Sequence, residues 1–235
     1  MTQSEHDPLG ELPWPAEPAP PRPEVTRAIR EECTKDLGCK RSLSAGRRLL
    51  MSVALSAFVV GLLVYLTYGQ ARPEGALRAA LLGAAGWGIV QAAVLFVGLA
   101  RPPGKRVSRL ARLLVAVTVP IAFLAYLAFE GTRWLPLGTF VHTHAAGHAM
   151  TCGLHALLFG AIVSGGTLLI WRRTDPLSPG LSGALAGLVG GLAGAVAIGV
   201  ACPNGETWHL WVGHGLTVVA LVFFGWAAGR RLLAP

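Results

Sequence analysis

Residues 180–199 read "GLSGALAGLVGGLAGAVAIG", twenty positions with no charge and seven glycines. A helix of this length and apolarity matches the ~30 Å hydrocarbon core of a bilayer. Its glycines fall in small-xxx-small pairs: Gly183 with Gly187, Gly187 with Gly191, and Gly190 with Gly194. Such ridges let helix backbones approach closely in lipid, where van der Waals packing drives association. The stretch therefore reads as the tightly packed central helix of a bundle rather than as a dimer interface.

Working outward, five further apolar runs lie at about 49–68, 76–99, 110–129, 149–171 and 208–228, and the glycine run itself extends over about 180–201. Each is close to the ~20 residues a spanning helix needs. The chain of 235 residues is 53% hydrophobic and only 14% charged. With a mean hydropathy of +0.54 it falls outside the soluble range. The expected fold class is an all-α membrane protein, a six-transmembrane-helix bundle over residues 47–230. Pro120 marks a candidate kink in the third span, which membrane helices tolerate. The sixth run begins among Trp208, His209, Trp211 and His214, side chains suited to a membrane interface.

A net charge of +8 could point to nucleic acid, but the basic residues sit at the ends of the spans rather than in one patch. Lys40, Arg41, Arg47, Arg48, Arg101, Lys105, Arg106, Arg109, Arg112, Arg172, Arg173, Arg230 and Arg231 flank one set of ends; Arg72, Arg78 and Arg133 flank the other. The positive-inside rule then places both termini in the cytoplasm. No direct nucleic-acid binding is expected.

Residues 1–23 are acidic and dense in proline, the composition of a disordered cytoplasmic tail with no cleavable signal, so the first run reads as an anchor. Residues 24–46 form a cytoplasmic juxtamembrane segment. Within it Val25, Ile29 and Cys33 recur at i, i+4 and i+8 among charges, the pattern of a short amphipathic helix. Docking on a cytoplasmic protein and an unpartnered helix both fit this pattern. Cys33 and Cys39 are spaced C-x5-C, not a zinc-knuckle spacing, and read as free thiols.

Ionisable groups are nearly missing from the spans, where Gln91 is the strongly polar side chain and Glu130 stands at a span end. Proton-coupled transporters and pumps carry such groups near the bilayer centre, so that class is disfavoured. With no phosphate-binding glycine loop, no Ser-His-Asp order and no paired carboxylates, the chain is not expected to be an enzyme.

Chemistry concentrates at the outer end. Residues 142–155, "HTHAAGHAMTCGLH", bring His144, His148, Cys152 and His155 within roughly 80° of one helical face. The second outer segment adds Cys202, Glu206, His209 and His214, so that six of the seven histidines share one compartment. Three chemistries fit. Imidazole and thiolate suit a transition metal such as zinc, copper or cadmium. Cys152 and Cys202 could instead pair as a disulfide in an oxidising periplasm. Haem with axial histidines is the third, though it wants histidines deeper and on facing helices, and only His155 is placed that deep. Against all three stands simple interfacial anchoring of the histidines.

The second half of the chain, residues 151–215, resembles the NrsF-type membrane anti-sigma factors. The features that carry the likeness are Cys152 opening the fourth span and Arg172 and Arg173 before Pro176 and Pro179 in an inner turn. The glycine ridge at 183–194 follows, then Cys202-Pro203, and then Glu206 leading to Trp208 and Trp211. The resemblance implies a bacterial inner-membrane protein that holds an extracytoplasmic-function (ECF) sigma factor inactive and releases it on envelope, metal or oxidative stress. It also implies that Cys152 and Cys202 are sensing residues; the crowd of outer histidines and the long proline-rich tail depart from the family pattern, and His144, His148, His155, Glu206, His209 and His214 are candidate metal ligands on their residue types and placement alone. Val25, Ile29 and Cys33 become candidate contacts for the sigma factor. The rival expectation is a metal- or haem-handling membrane protein that uses the outer cluster directly.

Overall fold

The computed structural model describes residues 22–38, 43–67, 74–100, 107–134, 145–172, 174–175, 177–202 and 204–233. The proline-rich tail through residue 21, together with His142, His144 and Cys39, lies outside them. The chain divides into two units, residues 1–42 and 43–235.

The first unit contains one described helix, α1 (Pro23–Gly38), opened by a proline whose missing N–H costs nothing at that position and by Glu24 in the first turn. Val25 and Ile29 are 47% and 57% exposed on it.

The second unit is built from α2 (Ala45–Thr67), α3 (Glu74–Gly98), α4 (Arg109–Trp134), α5 (Ala145–Ile170), α6 (Pro179–Ala201), the short α7 (Thr207–Leu210) and α8 (Leu216–Leu232). Six stretches are long and apolar enough to cross a membrane, the last running from Thr207 to Leu232 through α7 and α8. Among the described residues there is no strand. α4 runs unbroken from Arg109 to Trp134 with Pro120 inside it.

α6 is the axis of the bundle and packs against each of the other five spans. Its apolar window is 89% buried, whereas those of the other five are 17–44% buried. Glycine is what allows this. On one face Gly183 and Gly187 lie against Gly225, Gly229 and the Leu221 carbonyl of α8, so that a Cβ at Gly183 would stand 2.6 Å from Gly229 Cα. On another, Gly190 and Gly194 lie against Gly160 and Ala156 of α5, and a Cβ at Gly194 would stand 2.9 Å from Gly160 N. The outer spans add side-chain contacts, with Phe123 of α4 meeting Trp87 of α3 edge-on at 4.8 Å between centroids.

Two polar pairs tie spans together in the low-dielectric interior. Ser56 of α2 donates to Gln91 of α3 at 2.7 Å. Trp171, just past α5, donates its indole N–H to Ser52 at 3.0 Å. Trp171→Phe is expected to lower stability by about 1 kcal/mol, the net worth of one such bond, read as a lower unfolding midpoint of the purified chain in detergent. Ser52 also bonds the Arg48 carbonyl at 3.0 Å, so the hydroxyl is not left orphaned by the change.

At the end of the bundle that carries Arg112 and Arg230 lies a feature the charge pattern does not announce. Arg112, counted from sequence among the flanking basic residues, is 4% exposed, and Asp175 is 0% exposed. They pair at 3.3 Å. Arg112 lies inside α4, one turn past its start, and its side chain faces the N-terminus of α6 instead of water. Asp175 also accepts hydrogen bonds from Ser178 and Ser182 side chains and from the backbone N–H groups of Leu177 and Ser178 at 3.2 and 3.1 Å. Arg112 donates in turn to Ser182 at 3.1 Å and to Ser178. The Asp175 N–H reaches the Leu233 carbonyl at 3.2 Å, so α4, the turn before α6 and the residue that follows α8 meet in one network.

Candidate functional site

The other end of the bundle gathers cysteine and histidine. Cys202 directly follows α6, turns the chain into an extended conformation, and bonds its N–H to the Ile198 carbonyl at 2.7 Å. Cys152 comes from α5. The two sulfurs are 3.8 Å apart, with the Cys152 thiol donating to Cys202, and no disulfide joins them. Cys202 Sγ lies 3.2 Å from His209 Nε2.

His209 and His214 reach this point through a local departure from α geometry. Five residues apart on an α-helix, they would be separated by about 140° around the axis. Instead, residues Trp211–Gly215 form a π-helical turn, marked by the Leu216 N–H bonding back five residues to the Trp211 carbonyl. The wider turn brings both rings to one side, 5.6 Å between centroids, and each is fully buried. The sequence "WVGHG" permits it: a Cβ on Gly213 would stand 3.0 Å from the Ala149 carbonyl and 3.5 Å from Cys152 Cβ, so the turn sits directly on α5. Single π turns of this kind occur frequently at functional sites.

One donor atom from each of Cys152, Cys202, His209 and His214 lies within 4.8 Å of all the others. His214 Nδ1 is 3.2 Å from the Ala195 carbonyl, a bond that requires the proton on Nδ1 and leaves the lone pair on Nε2. His214 Nε2 and His209 Nδ1 are buried with no hydrogen-bond partner. His214 also borders a cavity of about 50 Å³, together with Tyr126 and Glu130, large enough for at least one water. The Cys202 thiol is held below the ordinary thiol range chiefly by the hydrogen bond from Cys152; burial opposes this, and His209 and His214 add to it. The arrangement places two sulfurs in contact, with a histidine ring nitrogen beside one of them.

Among the described candidates, His155 and Glu206 do not join the cluster. Ala149, Gly153, Ala156 and Gly160 mark the buried face of α5; at about 100° per residue Cys152 lies about 70° from its centre and His155 about 130°. His155 is accordingly exposed, with Nδ1 2.8 Å from the Thr151 carbonyl. Glu206 is exposed at the start of α7, its N–H bonded to Asn204 Oδ1 at 2.8 Å. His148 falls within α5 and Cys33 within α1, but their side chains lie outside the described residues. Axial haem ligation wants histidines on facing helices, whereas His209 and His214 share one segment. The Arg112 and Asp175 network escaped the sequence reading, although Asp175 is the one acidic residue between Arg173 and Pro179.

A protein-family model described as "Negative regulator of sigma F" (NrsF) matches residues 34–234. No curated protein and no solved structure matches the chain.

Proposed function

This chain belongs to the NrsF family, the negative regulators of sigma F, and from that premise we propose that it is a multi-pass inner-membrane anti-sigma factor whose cysteine cluster receives the releasing signal. Both termini face the cytoplasm, as the basic span ends favour. An ECF-type sigma factor is held there, with Val25, Ile29 and Cys33 of α1 as contacts, and the cluster faces the periplasm. The observation that carries the reading is the contact at 3.8 Å between Cys152 of α5 and Cys202 at the end of α6, two helices whose backbones meet at Gly160, Gly190 and Gly194.

Oxidation is the chemistry the pair is built for. The Cys202 thiolate attacks a hydroperoxide, giving a sulfenic acid and an alcohol or water. The Cys152 sulfur then displaces water from that sulfenic acid, so two thiols lose two electrons and two protons to one peroxide. A disulfide requires the sulfurs to close from 3.8 Å to about 2.05 Å. That draws α5 and the end of α6 together, and α6 touches every other span. The sigma factor is released only insofar as it binds the reduced arrangement better than the oxidised one.

Recovery of the sigma factor with the full chain from native membranes tests the reading, using residues 1–46 intact or deleted. The intact chain should retain it and the deletion should lose it. Failure of the folded intact chain to recover any sigma factor would sink the proposal. Cys152→Ser and Cys202→Ser are each expected to abolish peroxide-induced release, because a disulfide needs both partners. Release that survives in one variant and not the other would assign the two cysteines separate roles.

A further inference from the structure

We propose that Cys152, Cys202, His209 and His214 form a four-ligand site for a divalent d10 metal ion, zinc in the first instance. The assignment rests on geometry, while its regulatory consequence rests on the anti-sigma reading. Four observations converge on it.

The first is spacing. Two sulfurs bound to zinc at ~2.3 Å in a tetrahedron stand about 3.8 Å apart, and the sulfurs here are 3.8 Å apart. The same geometry puts a bound sulfur and imidazole nitrogen about 3.5 Å apart, against 3.2 Å between Cys202 Sγ and His209 Nε2. All four donors are already within 4.8 Å of one another, so occupancy needs only small shifts.

The second is unspent bonding capacity. Buried polar atoms are nearly always satisfied, yet His214 Nε2, the nitrogen left to ligate once Nδ1 is bonded, has no hydrogen-bond partner. The third is the support behind a ligand. Histidines that bind metal commonly give their other N–H to a backbone carbonyl, and His214 does so to Ala195. The fourth is charge. Two thiolates and two neutral imidazoles cancel a 2+ ion, so the filled site is neutral. A neutral site matters where three of the four ligands are buried and a net charge would be penalised.

Bound metal would hold the sulfurs at the spacing seen and occupy their lone pairs, so it would block closure to the disulfide. Zinc occupancy would then lock the form that retains the sigma factor.

The test uses full-length reduced protein in nanodiscs, stripped with a chelator and titrated with zinc against a chromophoric competitor. One zinc per chain is expected. Cobalt(II) in its place should give the intense visible bands of a tetrahedral thiolate site, a readout on the wild-type chain that needs no variant. Cys152→Ser and Cys202→Ser should each weaken binding by about 100-fold or more, and His209→Gln and His214→Gln by about 10-fold or more, since losing a ligand costs at least as much as losing a group that only hydrogen-bonds to one. His155→Gln should bind as wild type. An octahedral cobalt spectrum, no zinc on the helical wild-type chain, or histidine variants indistinguishable from wild type would each overturn the site. A preparation that captures the sigma factor but binds no zinc overturns the metal site alone; one that binds zinc but captures no sigma factor overturns the function reading alone.

Discussion

Asp175→Ala is expected to lower the stability of the bundle by about 3–5 kcal/mol, the cost of removing one partner from a buried ion pair. Arg112 would keep its charge at 4% exposure with only serine hydroxyls around it. The backbone N–H groups of Leu177 and Ser178 would lose their acceptor as well. The result should appear as a sharply lower unfolding midpoint and as proteolytic nicking near the start of α6. Replacing both partners, Arg112→Met with Asp175→Leu, should cost less than Asp175→Ala alone, since no uncompensated charge remains. A single-variant loss below about 1 kcal/mol would show that water reaches the pair.

Gly187→Leu is the second large effect. A Cβ at this position meets the Leu221 carbonyl and stands 3.2 Å from Gly225 Cα, so the obstacle is backbone and no rotamer change relieves it. Overpacking costs about 1–3 kcal/mol where side chains can adjust; here α8 itself must move away from α6, placing the loss at or above the upper end of that range. Gly86→Leu is the matched control, because nothing lies within 4 Å of a Cβ there and a stronger helix former replaces glycine. It should be neutral or stabilising. Equal losses from the two substitutions, measured by thermal unfolding in the same detergent, would refute the packing argument.

The centre of the fold was legible because its signal is local. Glycine at Gly183, Gly187, Gly190 and Gly194 states which faces of α6 must accept another backbone, whatever those neighbours are. The site was legible only in part. Cys152, Cys202, His209 and His214 were among the candidates, but so were His155 and Glu206. The edge of α5's buried face falls between Cys152 and His155, and it is set by neighbouring helices that the α5 sequence does not specify. The π turn hid the histidine pair for a different reason, since counting at 3.6 residues per turn separates His209 from His214. Arg112 was misleading because a basic residue near a span end is normally solvated. What buries it is Asp175, more than sixty residues on and from a separate turn.

The two ends of the bundle share α6. Cys202 follows its last residue, and Ser182, within its first turn, belongs to the Asp175 network. A signal at one end therefore has a rigid element through which to bias the other, provided the reduced and oxidised arrangements differ there.

The central claim is tested most directly by measuring the fraction of sigma factor bound to the full-length chain in nanodiscs, reduced and then oxidised with hydroperoxide. The Cys152–Cys202 disulfide is confirmed by mass spectrometry in the same samples. The predicted result is stable capture when reduced and loss of capture as the disulfide forms, with Cys152→Ser retaining the sigma factor throughout. A disulfide formed to completion with the sigma factor still fully bound would contradict the account.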